Sequence, residues 1–296
     1  MDDGSTDATA SVLSEFAARE PRLKIISTPN RGLPAARNAG LGAASGEWVA
    51  FVDADDELDP SFLSSLVSAA EAARADFAIA PMLVRPSPDA PFETIPLAAG
   101  YNLRSGAAIR RVFLPRVLGY QAGAVAARMA GRDITTGFRE LGSVCRCIYR
   151  RALVEKRRLR FDESLPFHED AHFNALFALH AVRMAAVETP LYRYSIRPGG
   201  MTRDIAETVK GVRGRYLNVK ARMELDRLCR GRLFPLFAGS CLFAAAKAAA
   251  LALRHPSIRA LAYALRCMSC GAVFRALALL AFRRRPLPGY ARPAGT

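Results

Sequence analysis

The sequence predicts an open α/β sheet, mostly parallel and flanked by helices, that gives way to a helical C-terminal third. Three observations carry this expectation. Short β-rich runs alternate with helical periodicity over residues 1–85, the order that builds parallel sheets. One of those runs, "EWVAFVDADD" (47–56), is apolar and ends abruptly in carboxylates, as a buried strand does at the ligand-binding edge of such a sheet. From about residue 205 the β signals stop, and Ala/Leu-rich helical runs with embedded arginines take over.

The elements follow in order. "TDATASVLSEFAARE" (6–20) carries apolar Val12, Leu13 and Phe16 behind the capping residues Ser5, Thr6 and Asp7, and reads as a helix. "LKIIST" (23–28) is a short strand, and "LPAARNAGLGAA" (33–44) a short helix ended by glycine. "DPSFLSSLVSAAEAARA" (59–75) places Asp59 at an N-cap and Pro60 in a first turn, so a further helix starts there. "DFAIAPMLV" (76–84) is one more strand, and "RPSPDAP" (85–91) a turn-rich connection into an irregular stretch that lasts to residue 142. A coarse β/α pattern resumes over residues 143–200. The expected division is 1–203 for the α/β part and 204–296 for the basic helical part.

Charge is distributed unevenly. Residues 1–202 hold 24 Lys+Arg against 23 Asp+Glu, whereas residues 203–296 hold 18 against 4, a net of +14. Such a segment seeks an anionic surface, either phospholipid or nucleic acid. Arginines set among Ala and Leu and ending in "RRRP" (283–286) suit amphipathic helices on an anionic bilayer; few aromatics and no binding motif speak against nucleic acid. A helical bundle with a solvated basic face is the plainer alternative. No apolar run reaches the roughly 20 residues of a membrane span. The opening "MDDGSTD" is polar, so six reduced cysteines in a cytoplasmic protein, peripheral to the inner face of the membrane, are expected. "CMSC" (267–270) lacks the second pair a zinc ribbon needs.

Two acidic clusters carry the chemistry. Asp53 and Asp55 flank one residue at a strand end, a pair of hard oxygen ligands suited to Mg²⁺ or Mn²⁺ on a diphosphate; a solvated turn is the competing reading. Asp2 and Asp3, followed by Gly and Ser, stand before a helix, where they serve either as a polar cap or as contacts to a base or ribose. Arg37 sits on a small-residue helix, either solvated or reaching a phosphate. The second cluster, "HEDAH" (168–172), fits the H-E-x-x-H zinc pattern, with His168 and His172 as ligands and Glu169 as base. Pro166 starts a helix too late for that site, however, and Asp170 adds a charge that zinc hydrolases leave out.

"DDGSTD", "NRGLPAARNAG" and "GEWVAFVDADD", taken together and in this order, resemble the family-2 glycosyltransferases of the GT-A fold. The resemblance is close over residues 1 to about 85 and looser to about 203. It implies a nucleotide-diphospho-sugar donor, UDP-linked, with Asp55 as the principal metal ligand and Asp53 nearer the nucleotide. It also implies contacts from Asp2, Asp3 and Arg37 to the base or nucleotide. "RFDESLPFHEDAHF" (160–173) resembles the family's acceptor-side segment, which makes Asp170 the catalytic base and Glu169 its support or an acceptor contact. A carboxylate at a helix N-terminus is held ionised by the dipole and can take a hydroxyl proton. "PLYRYSIRPGGMTR" (190–203) then offers Arg193, Arg197 or Arg203 to the leaving diphosphate, with Arg197 the expected donor contact. The implied reaction is inverting sugar transfer to a saccharide or lipid-linked glycan in cell-surface polysaccharide synthesis. One departure stands out: the family's opening strand, of the type V-S-V-I-I-P-V-Y-N, precedes D-D-G-S, whereas this sequence starts at the second strand's end. On that ground an N-terminally truncated chain, weakened in nucleotide binding or surviving as a non-catalytic membrane-bound partner, is the further alternative to the zinc hydrolase.

Overall fold

The computed structural model of the protein describes residues 1–118, 142–196 and 209–269, apart from 88, 98, 99, 231 and 255–257, together with 273 and 276. The predicted N-terminal helices are α1 (Thr9–Arg19) and α2 (Leu33–Ala43). Helix α1 buries none of its residues and leaves Val12 and Phe16 exposed, whereas α2 buries Ala35, Ala36, Arg37 and Leu41. Helix α2 runs on through Gly40 and Gly42 rather than ending at a glycine. The strand expected over residues 23–28 shrinks to a single parallel bridge between Asp2 and Ser27. Its hydrogen bonds are Asp2 N–H to Ile26 O and Thr28 N–H to Asp2 O, both 2.9 Å, and among the described residues no second neighbour extends the ladder.

The acidic strand is β1 (Trp48–Ala50), followed by β2 (Glu57–Leu58) and α3 (Phe62–Ala72). Helix α3 begins two residues later than predicted. Ser61 is its N-cap, and Asp59 accepts from the Ser61 N–H (2.9 Å) and hydroxyl (2.6 Å) in a local turn upstream. "DFAIAPMLV" is two strands, β3 (Phe77–Ile79) and β4 (Met82–Arg85), which enter different sheets. Pro81 has no N–H for a ladder, so the chain changes sheets there. The stretch read as irregular contains β5 (Glu93–Ile95), α4 (Gly106–Val112) and α5 (Leu114–Leu118). Then come β6 (Cys147–Arg150), α6 (Arg151–Lys156), α7 (Glu169–His180), β7 (Met184–Ala186) and β8 (Tyr192–Ser195).

One sheet has the order β1-β6-β3-β7 and the other β2-β8-β4-β5. The expectation of mostly parallel pairing needs correction. Only β3–β7 and β4–β8 are parallel among the described ladders, because β6 inserts antiparallel between β1 and β3, and both β2 and β5 run against their neighbours. The open, helix-flanked α/β architecture itself is as predicted. β1 is an edge strand, and the consecutive residues Trp48–Asp55 border a cavity of about 1110 Å³. A strand's face presents alternate residues, so an unbroken run points to its edge.

An aromatic cluster ties the acidic strand to α7. Phe51 meets Tyr149, Phe161 and Phe173 at ring distances of 5.9, 5.1 and 5.8 Å, and Phe161 stacks on Phe173 at 4.3 Å. Each such pair contributes about 0.5–1.5 kcal/mol beyond area burial. The Tyr149 hydroxyl donates to Asn174 Oδ1 at 2.6 Å, so the one polar atom of the cluster is satisfied.

The C-terminal part is helical as expected: α8 (Val209–Leu228), α9 (Phe234–Arg254) and α10 (Ile258–Ser269) pack on one another. Val219, Leu225, Phe234 and Cys241 join the same apolar core as the sheets. Asn218 donates to Phe167 O at 3.0 Å, just ahead of α7, and Asp226 accepts from Leu233 and Phe234 N–H to start α9. Among the described residues no helix is long and apolar enough to cross a membrane.

Candidate active site

The site forms where the end of β1 meets the start of α7. Buried Phe51 anchors the strand, and the chain beyond it turns over at Asp53–Asp56, closed by Asp56 N–H to Asp53 O at 3.1 Å. Asp53 and Asp56 are partly exposed and Asp55 is exposed. Across the cleft, α7 opens with Glu169 and Asp170 in its first turn.

Arg37 joins the two. Its Nη2 donates to Asp53 Oδ1 at 2.8 Å and its Nη1 to Glu169 Oε1 at 2.7 Å. The guanidinium lies 5.5 Å from the centre of the Phe161 ring, and Nη2 is 3.9 Å from Cys145 Sγ. Only 9% of Arg37 is exposed, so the reading of a solvated surface arginine is overturned. Small neighbours on α2 let this helix approach closely enough to bury the head group. Burial alone would lower its pKa, but the carboxylate of Asp53, with Glu169 behind it, outweighs that and holds Arg37 above its ordinary value. Asn38, next in sequence, exchanges two bonds with the Phe161 backbone, at 2.8 and 3.0 Å. The "ARN" of α2 therefore grips the segment that leads to α7.

Asp170 has a partly open surface, yet the protein packed around its carboxyl pushes its pKa up to about 7. The charge of Glu169 adds to that rise, and Arg37 opposes it. Cys145 is pushed up to about 12 by burial and is a thiol at neutral pH. Glu169 is itself buried at 7% exposure and committed to Arg37.

The N-terminal aspartates have structural partners. Asp2 Oδ1 accepts from Ser5 N–H at 3.0 Å, and the Ser5 hydrogen bonds hold this carboxyl below its usual value. Asp3 accepts from the N–H groups of Arg31 (3.0 Å) and Gly32 (2.7 Å) and lines the cavity with Arg37, Asp53, Asp55 and Tyr194. Gly4 makes this possible: its φ is +74°, and a Cβ there would come within 2.7 Å of Asn30 N. The structure thus lines one cavity with Asp3, Arg37, Asp53 and Asp55, while Glu169, bonded to Arg37, and Asp170, within reach of the Arg37 and Asp53 charges, stand beside that lining and not in it. Asp2 turns its carboxylate into its own loop. Arg193 pairs with Glu57 at 3.7 Å and, by strand alternation, faces away from Tyr192 and Tyr194. Arg197 and Arg203 lie outside the described residues.

The zinc arrangement is not built. His168 precedes α7 as an exposed N-cap in the left-handed conformation (φ 60°), and Glu169, the base of that scheme, is held by Arg37. His168 and His172 line a void of only about 10 Å³ shared with Arg222, a cation that opposes metal binding. Among the described residues no three His, Cys, Asp or Glu side chains converge on a metal position. The acidic turn offers oxygen ligands only, the type that Mg²⁺ or Mn²⁺ takes, without reaching three on its own. Asp55 stands at the cavity wall, and Asp56 Oδ1 is a buried oxygen without a hydrogen bond. An oxygen-only partial set of this kind suits Mg²⁺ or Mn²⁺ whose shell a ligand's phosphates complete.

Sequence reasoning missed Asn38, Cys145, Phe161 and Tyr192. Asn38 was readable within the matched "NRGLPAARNAG"; the other three act through contacts 108–139 residues away.

A sheet flanked by helices, with an acidic strand end near an acidic helix start, is a fold of the GT-A type. Residues 1–133 match the model of the family described as Glycosyl transferase family 2, and this part of the chain belongs to that family. It is 30% identical over 204 residues to the succinoglycan biosynthesis protein ExoO of Rhizobium meliloti (strain 1021), covering 69% of this chain and 53% of that protein. It is 28% identical over 205 residues to the uncharacterized glycosyltransferase EpsJ of Bacillus subtilis (strain 168), covering 68% and 53%. The chain spans about half the length of these relatives. The crystal structure of S. aureus TarS 1–349 in complex with UDP-GlcNAc shares the fold with a TM-score of 0.56 at 16% identity, over 97% of this chain and 84% of that one.

Proposed function

We propose that this protein transfers a sugar from a nucleotide-diphospho-sugar, UDP-linked, to a saccharide or lipid-linked glycan acceptor with inversion, in polysaccharide synthesis. One observation carries the reading. A single buried guanidinium binds Asp53 on the donor side and Glu169 on the acceptor side, so Asp55 and Asp170 are neighbours of two residues already joined. Names of relatives agree: one is a succinoglycan biosynthesis protein, and TarS was crystallised with UDP-GlcNAc.

In this reading Asp3 and Asp53 meet the nucleotide, Asp2 supports the loop that presents Asp3, and Arg197 meets the diphosphate. Asp55 holds Mg²⁺ or Mn²⁺, which when bound neutralises charge on the departing diphosphate. Asp170 accepts the proton of the acceptor hydroxyl as its oxygen attacks the anomeric carbon, and the nucleoside diphosphate leaves from the opposite face. Burial outweighs the helix dipole expected to keep Asp170 ionised; with its pKa raised to about 7 it is partly ionised at neutral pH, and the ionised fraction is basic enough to take the proton. Glu169 orients the acceptor edge through Arg37. The test is release of UDP from UDP-sugars with Mn²⁺ and oligosaccharide acceptors, and anomeric configuration of the product by NMR. Nucleotide release dependent on acceptor supports the reading; neither binding nor turnover of any nucleotide-sugar would overturn it.

The basic helices support work at an anionic membrane surface. On α10, Ala264 faces inward, whereas Leu261 (55% exposed), Leu265 (52% exposed) and Arg266 face solvent, as does Leu253 (84% exposed) near the end of α9. Leucines beside arginine suit the boundary of an anionic bilayer. Binding to phosphatidylglycerol vesicles, weak on phosphatidylcholine and at least tenfold lower in a Leu261→Asp/Leu265→Asp variant, is the expected result, since each leucine contributes about 1.5–3 kcal/mol when buried. Equal partitioning to both lipids would sink it.

A further inference from the structure

Tyr192 has no part in the chemistry just described, yet its hydroxyl sits against the turn that carries the acidic residues. It accepts from Asp53 N–H at 3.3 Å and donates to Asp56 Oδ2 at 2.5 Å, so one oxygen touches both ends of the Asp53–Asp56 turn. The residue is fully buried, with its ring 6.1 Å from that of Phe62. Its backbone lies in β8, the strand between β2 and β4, where Tyr192 stands opposite Leu58 on one side and Met82 on the other. Asp59 N–H donates to Leu191 O at 2.9 Å, tying down the chain just after the turn. The turn, by contrast, is open to solvent: Val52, Ala54 and Asp55 are exposed, and its own closing bond is a single backbone contact. Arg37 holds the Asp53 carboxylate from the α2 side, but a solvated four-residue turn with one internal bond has little intrinsic reason to keep its own backbone fixed.

We infer that Tyr192 is a positioning residue: its hydroxyl fastens both ends of the Asp53–Asp56 turn to the middle of the second sheet and so, together with Arg37 on the Asp53 carboxylate, fixes the path of the backbone from which Asp53 and Asp55 project. The geometry is that of a post and a clasp. The post cannot shift without breaking the pairing of β8 with both neighbours. The clasp uses a donor and an acceptor of one hydroxyl, so removing that oxygen alone leaves Asp53 N–H and Asp56 Oδ2 without their partner at once. The backbone of Ser195, also in β8, adds a hydrogen bond to Asp56, so Tyr192→Phe isolates the hydroxyl's share of the tie. Phenylalanine at 192 keeps the ring, its contact with Phe62 and both ladders, so it isolates the clasp from the post.

The anchoring stands independently of any reaction; its consequence for donor binding rests on the glycosyltransferase reading. The test therefore has two readouts on three proteins: wild type, Tyr192→Phe, and Phe62→Leu, which loosens the ring packing but spares the hydroxyl. Amide hydrogen exchange of the ligand-free proteins comes first. Tyr192→Phe is expected to raise exchange at Asp53 and Asp56 about tenfold over wild type, with α7 and the sheets unchanged, whereas Phe62→Leu spreads a smaller rise over α3 and β8. Titration with UDP in the presence of Mn²⁺ comes second, with about tenfold weaker binding in Tyr192→Phe, little change in Phe62→Leu, and an unaltered KM for acceptor. Wild-type exchange at the turn in Tyr192→Phe, or a rise matched by Phe62→Leu, overturns the inference. Faster exchange at the turn together with no UDP binding by wild type upholds the clasp and removes the donor reading instead.

Discussion

Arg37→Ala is expected to lower stability by about 3–5 kcal/mol, because it strands the buried Glu169 carboxylate and releases Asp53 in one step. Three groups lose their arrangement: Glu169, Asp53 and the Phe161 ring beneath the guanidinium. Arg37→Lys rescues little. Two separate nitrogens of a planar fork reach the two carboxylates at 2.7 and 2.8 Å, and an ammonium presents one point charge. Denaturant unfolding of Arg37→Ala, Glu169→Gln and the double variant closes a cycle. A large coupling energy is expected, with the double variant less damaged than Arg37→Ala, since a neutral glutamine in place of Glu169 tolerates burial without the cation. A loss under 1 kcal/mol in Arg37→Ala would show that this pair does not form in solution.

Asp170→Asn is expected to separate activity from stability. Removing a general base costs about 10²–10⁴-fold in turnover. Wild-type turnover should rise with pH through about 7 as Asp170 ionises, and that limb should vanish in the variant. Stability moves the other way. The folded pKa lies above the ordinary carboxylate value, so the folded state prefers the proton; this contribution is complete below about pH 4 and is lost as pH rises through about 7. Asparagine cannot ionise, so the variant should be more stable than wild type at pH 8, by on the order of 1 kcal/mol after allowing for solvent access and the neighbouring Glu169, and indistinguishable at pH 4. Thermal melts at the two pH values decide it. A difference between variant and wild type that is the same at both pH values would mean Asp170 ionises in the folded protein as it does in water.

Much of this site was legible because its groups are local in sequence. Asp53 with Asp55, and Glu169 with Asp170, each read as a cluster at an element boundary, and each lies at such a boundary. Arg37 was legible as a candidate but not as a buried bridge, since a helix of Ala and Gly says that something approaches closely without saying what. Tyr192 left no local signal; its partner Asp56 is 136 residues away. The fold divides similarly. Helical periodicity located α1, α2 and α3, but strand order lies outside any local pattern, which is why the antiparallel insertion of β6 went unseen. The break between β3 and β4 did have a signal in Pro81, and a strand containing proline was one strand too few.

The open side of β1 sets what an occupant of the cavity must offer. Along a strand edge, N–H and C=O groups project outward in turn, and here they border the cavity beside Asp53 and Asp55. An occupant of the cavity must therefore offer that edge donors and acceptors as well as apolar contact with the side chains around it.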